Sequence, residues 1–415
     1  MHGMNPTQAE LRSFAPHWCL YWANSFARSQ FEIWLPLLER SAYRYLVLVD
    51  GPGTVPASLA ELETNGRIMF GASGTMDKQW LHDVPTFRGF LYVSNKNRIF
   101  GNVGGFSKVR HIFIGHGESA KASSGARVAS LYDSVFLATY ESGRRFPAAI
   151  HHHVRRRSLA IGAPIVHGVV PLSERDGAKR TQSPVVLFAP TWEGHSVEKD
   201  YSSLPEVGGT LSALLSAGSA RVILRPHPGN GKRSETHRQA ATALWKSGAA
   251  KPEDKAADIN SSDVLIGDLS GATSEFLFSR KPVIIPYTDA LRRLKVLPEQ
   301  VRTQYPWAYV WDTGAQDLSS VLAEAVGPDP LRRRREAAAN SMFRGHRTTD
   351  EATRTFDLAL GAVWHFRSPI IRRVRYELAR ARRSGSLPFL TRVRALRLLA
   401  ARRSRRPLTD TGIAG

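Results

Sequence analysis

The sequence predicts two parallel-sheet α/β domains followed by a basic helical extension, and three observations predict it. The first is length: 415 residues exceed what one core of ordinary size serves, so two domains are expected. The second is an alternation of short apolar runs, closed by Gly, Pro or Asp, with segments of helical periodicity. That alternation is the signature of strand–helix repeats that build a parallel sheet. The third is a break: from Leu331 strand signals stop and arginine-rich helical patterns run to about Arg406.

In the first half, Tyr45–Val49 (YLVLV) before Asp50-Gly51, Arg67–Phe70, and His111–Ile114 before Gly115-His116-Gly117 read as buried strands ending in loops. Phe31–Tyr43 offers Ile33, Leu35, Leu38 and Tyr43 as one apolar face of a helix. The polar stretch Ser173 to Ser183 (SERDGAKRTQS) then interrupts the pattern and reads as a linker. A second series follows, with strands Val185–Ala189, Arg221–Leu224, Asp263–Ile266 and Val283–Ile285, and helices around Leu211–Ser216, Glu235–Lys246 and Thr273–Ser279. The expected layout is an N-terminal domain over 1–172, a linker over 173–183, a second domain over 184–330, closing helices over 331–366 and an Arg-rich tail over 367–415.

Hydrophobic residues at 42% and charged residues at 22% are the balance of a folded, water-soluble chain. A net charge of +21 points to anionic partners: nucleic acid, an acidic membrane surface or a phosphate-rich substrate. With Cys19 the sole cysteine, an internal disulfide and a cysteine metal cluster are excluded, as suits a reduced cytoplasm. No apolar run reaches the roughly 18–20 residues of a membrane helix, and MHGMNPTQAELRS lacks the basic-then-apolar order of a signal peptide. The chain is expected neither to span a bilayer nor to be exported.

In open α/β sheets ligands bind beyond the carboxyl ends of the strands, and four loops there carry chemistry. Gly115-His116-Gly117-Glu118-Ser119-Ala120-Lys121 combines permissive backbone with a titratable ring and a fixed positive charge. Ala189-Pro190-Thr191-Trp192-Glu193 places a hydroxyl and an aromatic face at a strand end, where a base or sugar can stack. Arg225-Pro226-His227-Pro228 restricts a histidine between prolines, beside an arginine whose fork geometry suits phosphate. Gly267-Asp268-Leu269-Ser270-Gly271-Ala272-Thr273-Ser274-Glu275 opens a helix with free N–H groups and hydroxyls. Singly, each such loop is structural more often than functional; their co-occurrence at four strand ends shifts the balance.

HGESAK, APTW, RPHP and SDVLIGDLSGATSEFLF followed by KPVIIPY together resemble the successive signatures of the CDP-glycerol glycerophosphotransferase family over about residues 90–290. The resemblance implies a GT-B architecture, with two Rossmann-like domains facing a cleft and the nucleotide held mainly by the C-terminal one. It implies that His116 and His227 are the essential histidines, one the general base on the acceptor hydroxyl and the other a stabiliser of the donor phosphates. Which does which is open. It further implies donor-binding roles for Gly115, Gly117, Lys121, Pro190, Thr191, Arg225, Asp268, Ser270, Gly271 and Glu275. The implied reaction moves a polyol phosphate, glycerol phosphate foremost, from a CDP-activated donor to a hydroxyl of a cell-envelope polymer or lipid-linked acceptor, with CMP leaving. No cofactor is implied, and no D-x-D metal motif occurs.

Three departures stand out. Gly271 replaces a serine, Glu275 replaces an aspartate, and Gly162-Ala163-Pro164-Ile165-Val166-His167 stands where the family commonly reads Gly-x-Pro-Arg-Asn-Asp, so that Ile165 takes an arginine's place. Of the other features, His151-His152-His153 is discounted as a metal site because adjacent histidines fan out and Arg155, Arg156 and Arg157 repel a cation. Asp50-Gly51-Pro52-Gly53-Thr54 lacks phosphate-loop spacing and reads as a turn.

The tail carries fourteen arginines between Arg367 and Arg406. Ile370, Ile371, Val374 and Leu378 form one apolar stripe; Phe389, Val393, Leu396 and Leu399 suggest another. Such a helix can lie in a membrane interface, with Arg372, Arg373, Arg392, Arg394 and Arg397 facing anionic lipid, or its first stripe can pack back on the N-terminal domain. The enzyme is therefore expected in the cytoplasm, peripherally associated with the inner face of the membrane. The rival readings are a GT-B glycosyltransferase using a nucleotide sugar and a non-catalytic basic protein on anionic membrane or nucleic acid. Against nucleic acid, the charge gathers in the tail and no zinc-finger or RNP motif occurs.

Overall fold

The computed structural model describes residues 6–22, 31–49, 64–74, 76–94, 99–115, 127–172, 183–194 and 200–363. These fall into two compact units. The chain passes from the first to the second at Ile161–Gly162 and returns to the first after Thr349. Residues 173–182 of the expected linker, and the tail beyond 363, lie outside the described residues.

The first unit is built on seven strands, β1 (Trp18–Trp22), β2 (Tyr45–Val49), β3 (Ile68–Ala72), β4 (Gly89–Tyr92), β5 (Arg110–Phe113), β6 (Ser134–Leu137) and β7 (Ser158–Ala160). Their order is β3-β2-β1-β4-β5-β6-β7, and every pairing is parallel. A parallel sheet is covered on both faces, so its strands are apolar throughout rather than alternating; all five residues of β1 and of β2 are buried. Trp18, Leu20 and Trp22 of β1 face one core and Cys19 and Tyr21 the other. The register also dictates a residue: a Cβ at Gly89, the first residue of β4, would sit 2.0 Å from the Arg110 carbonyl oxygen.

Among the described residues, the short helices α1 (Gln8–Phe14), α2 (Leu35–Arg40), α3 (Ile99–Gly105) and α4 (His151–Arg157) accompany this sheet. Within the helix read over Phe31–Tyr43, residues 31–32 are helical, 33–34 form a turn and α2 resumes at Leu35; Pro36 stands in its first turn, where its missing N–H is not needed. On α4, His151 and His152 are exposed while His153 is half-buried. Successive residues of a helix project about 100° apart, and no cluster of metal-ligating side chains is found among the described residues.

The second unit has five parallel strands, β8 (Val185–Ala189), β9 (Arg221–Leu224), β10 (Val264–Gly267), β11 (Val283–Tyr287) and β12 (Tyr309–Asp312), in the order β12-β11-β10-β8-β9. Its helices are α5 (Leu204–Ser216), α6 (Glu235–Lys246), α7 (Lys255–Ser261), α8 (Gly271–Phe276), α9 (Asp289–Arg293), α10 (Pro298–Gln304), α11 (Leu318–Val326) and α12 (Arg332–Met342). The last described helix, α13 (Thr349–Val363), belongs with the first unit: Ala352, Phe356, Ala359, Leu360 and Val363 enter the core on the Trp18 face of its sheet. The spacing of those five residues is the i, i+3/i+4 stripe of a helix with one buried face. No helix among the described residues is long and apolar enough to cross a membrane.

Candidate functional site

Three of the four chemically loaded loops lie in the second unit, at the carboxyl ends of β8, β9 and β10, and hydrogen bonds tie them together. The β8 loop accepts from the β9 loop: the His227 N–H donates to the Pro190 carbonyl at 3.1 Å and the Asn230 Nδ2 donates to the Thr191 carbonyl at 3.2 Å. From the other side, the buried Asp268 carboxylate after β10 accepts the Thr191 N–H at 2.7 Å and the Ser203 N–H at 3.2 Å. Thr273 closes the β10 loop by donating its hydroxyl to the Asp268 carbonyl at 2.6 Å. The sequence folds this way because Asp268 and Thr191 are buried, and buried amides and carboxylates require partners.

His227 is exposed at the tip of its loop, and its ring is oriented on two sides. Trp192 stacks on it with centroids 5.9 Å apart and planes 20° from parallel. The Gly229 N–H donates to His227 Nδ1 at 2.9 Å. An Nδ1 that accepts leaves the proton of the neutral ring on Nε2, so neutral His227 presents an Nε2–H donor. Gly229 is small for a reason: a Cβ there would lie 3.1 Å from His227 Nδ1 and 3.3 Å from the Trp192 ring.

Arg225 is engaged by protein. Its Nη1 contacts the Asp258 carboxylate on α7 and donates to the Glu253 carbonyl at 3.1 Å. Asp258 is itself buried and accepts the Glu253 N–H at 3.1 Å. The expected fork toward phosphate is thus drawn, at Nη1, to an internal carboxylate. Glu275 likewise accepts from Lys255 Nζ at 2.8 Å. Ser270 precedes Gly271, the first residue of α8; its hydroxyl does not cap the helix, and its Oγ is buried without a protein partner. Ile165, where the resemblance expects arginine, is a buried apolar residue in this chain.

Sequence reading missed two organising carboxylates. Glu193 accepts from the Gly231 N–H at 3.0 Å, the Arg233 N–H at 2.8 Å and the Ser234 N–H at 3.1 Å. Burial opposes its ionisation, but its own backbone N–H together with these amides prevails and holds its pKa below the ordinary glutamate value. Asp258, the partner of Arg225, lies 33 residues along the chain, and no local pattern links the two. Glu193 had a signal, being the one charged residue of the strand-end loop Ala189-Pro190-Thr191-Trp192-Glu193.

In the first unit, Gly115 follows β5 with φ at +69°, and its carbonyl accepts the Trp34 indole N–H at 2.9 Å. His116, Gly117 and Lys121, and the tail residues Arg372, Arg373, Arg392, Arg394 and Arg397, lie outside the described residues.

Residues 118–293 match the family described as CDP-Glycerol:Poly(glycerophosphate) glycerophosphotransferase. That segment holds the β8, β9 and β10 loops. No curated protein matches the chain. Among solved structures, the wall teichoic acid polymerase TagF is similar at 14% identity and a TM-score of 0.52, over 85% of this chain and 89% of that one. A putative UDP-N-acetylglucosamine 2-epimerase from Listeria monocytogenes is similar at 10% identity and a TM-score of 0.51, over 85% of this chain and 97% of that one. Anabaena HepE in complex with UDP and glucose is similar at 10% identity and a TM-score of 0.51, over 84% of this chain and all of that one. Likeness at such identities concerns fold, and with the two parallel sheets it makes the architecture GT-B-like.

Proposed function

We propose, from the resemblance to the CDP-glycerol glycerophosphotransferase family over residues 118–293, that this chain transfers a polyol phosphate from a CDP-activated donor to a hydroxyl of a cell-envelope polymer or lipid-linked acceptor. Glycerol phosphate is the polyol phosphate assigned. The acceptor oxygen attacks the phosphorus bearing the polyol; a new P–O bond forms, the P–O bond to CMP breaks, and the acceptor proton passes to a base. Such a reaction asks mainly for positioning and for stabilisation of charge on the phosphates.

The observation that carries the assignment of roles is the hydrogen bond from the Gly229 N–H to His227 Nδ1. With Nδ1 accepting, the neutral ring offers Nε2–H to a phosphate oxygen and suits charge stabilisation on the leaving CMP. His116 is then left as the base on the acceptor hydroxyl, a role worth roughly 10²–10⁴-fold. Ser270, with a buried hydroxyl that no protein group uses, is placed on the donor phosphates, as are the N–H groups that open α8 at Gly271. Arg225 and Glu275 support the site through Asp258 and Lys255 rather than by direct contact.

The test is CMP release from CDP-glycerol with a lipid-linked acceptor, comparing the intact protein with His116→Ala and His227→Ala. Acceptor-dependent release lost in both variants is expected. Turnover of a nucleotide sugar instead, with none of CDP-glycerol or CDP-ribitol, would transfer the site to glycosyl chemistry and end the polyol-phosphate reading.

A further inference from the structure

We infer that Glu193 is the positioning residue that holds His227 in its donor tautomer and fixed orientation; this rests on the reading of His227 as the histidine that faces the donor phosphates. Four contacts clamp the β8 loop to the segment after β9. Two are neutral hydrogen bonds, from the His227 N–H to Pro190 and from Asn230 to Thr191, and one is the Trp192–His227 stack. The fourth is the Glu193 carboxylate, 6% exposed, gathering the N–H groups of Gly231, Arg233 and Ser234. Hydrogen bonds to a carboxylate are roughly twice as strong as neutral ones, so this is the strongest of the four.

Helix capping does not account for it. Ser234 is the N-cap of α6, and its own hydroxyl accepts the His237 N–H at 3.4 Å. What the carboxylate adds is a fixed turn at 229–233. That turn supplies the Gly229 N–H that holds His227 Nδ1, and the Asn230 N–H that donates to the His227 carbonyl at 2.8 Å. It has little slack, because Gly231 sits at φ +70° and a Cβ there would lie 3.0 Å from Arg238 Cα. Released from Glu193, the turn is held to the β8 loop only by the neutral bonds and the ring stack, and the Gly229 N–H that defines the tautomer is no longer fixed in place. The same geometry fills the N–H cluster before α6 with the protein's own carboxylate, so a substrate phosphate meets His227 from the Nε2 side.

Glu193→Gln removes the charge and presents an amide NH₂ to backbone donors; Glu193→Asp keeps the charge but shortens the reach. Two readouts apply to the full chain: ring-nitrogen NMR shifts of His227, and steady-state kinetics with CDP-glycerol and a lipid-linked acceptor. In wild type the ring is expected as the Nε2–H tautomer with a hydrogen-bonded Nδ1. In Glu193→Gln it should become a mixture of tautomers, with kcat lowered about 10–100-fold and the donor KM within about threefold. Glu193→Asp should fall between. A folded Glu193→Gln with an unchanged His227 signature, or a loss confined to KM, would overturn the inference. If Glu193→Gln does not fold, a wild-type signature in Glu193→Asp overturns it equally. Should the wild type not turn over CDP-glycerol while the His227 signature still moves in the variants, the positioning role stands and the functional reading falls.

Discussion

A methyl group added at position 229 has nowhere to go but against the His227 imidazole and the Trp192 ring, at 3.1 and 3.3 Å. Its backbone φ is not in the left-handed region, so Gly229→Ala should cost the fold little, within about 1 kcal/mol. Because displacing an aligned group by a fraction of an ångström is felt mainly in turnover, the same change should lower kcat about tenfold. Comparing melting temperature with CMP release checks both halves. Arg225 makes the opposite prediction. Arg225→Ala leaves the buried Asp258 carboxylate without its cation, a loss on the order of 2–3 kcal/mol, less than for a fully buried pair because Arg225 keeps some solvent contact. Denaturant unfolding should show that loss, and a destabilisation below about 0.5 kcal/mol would mean that the pair is not formed. The pattern RPHP marks His227 in the sequence because flanking prolines are unusual around an exposed ring. What Glu193 and Arg225 bond to was not legible there, since amides at 231–234 and a carboxylate at 258 are brought near only by folding.

Elements obey the same division between local and non-local information. Strands such as YLVLV and VVLFA were legible because a parallel sheet buries both faces and demands continuous apolar runs. The sequence reading began α5 at Leu211, whereas the helix starts at Leu204. Pro205 and the Gly208-Gly209 pair look like breakers, yet a proline in the first turn sacrifices no hydrogen bond, and Gly208 is buried with the Ala240 carbonyl 4.0 Å from where its Cβ would be. That is an ordinary van der Waals distance, so an alanine would fit there and the packing of α5 on α6 does not require the glycine. One helix carries a prediction of its own. Phe356 of α13 is fully buried against Trp34, with centroids 5.4 Å apart, and edge-on to Phe136 at 5.9 Å. Phe356→Ala should destabilise the first unit by about 3–5 kcal/mol, read by denaturant titration, since the cavity lies between two rings that cannot collapse into it. On α12 the fully buried Arg335 donates to the Arg280 carbonyl at 2.8 Å and pairs with Asp329, which also accepts from Tyr309. Four arginines stand in a row at 332–335; that one of them is core depends on Asp329, at φ +43°, whose carboxylate pairs with it.

For the whole molecule the dominant fact is charge. The net +21 is carried disproportionately by the last fifty residues, where fourteen arginines lie between Arg367 and Arg406, while many arginines of the described units are matched by neighbours such as Asp83, Asp258, Asp289 and Asp329. A parallel α/β core can be inferred from apolar runs, but whether an arginine-rich segment meets lipid is decided by a partner outside the chain. The physical expectation is definite. Each basic group near an anionic surface contributes about 1 kcal/mol, and the attraction decays over a Debye length of about 8 Å at physiological salt. Replacing Arg372, Arg373, Arg392, Arg394 and Arg397 by Gln should therefore weaken sedimentation with phosphatidylglycerol vesicles by at least about tenfold at low salt, and the difference should shrink as salt is raised. Turnover of a soluble acceptor analogue by the same variant should stay near wild type, because none of the five belongs to the β8, β9 or β10 loops. Equal vesicle binding by the two proteins would mean that the tail's arginines serve the fold, and the search for a lipid-facing surface would then turn to the two described units.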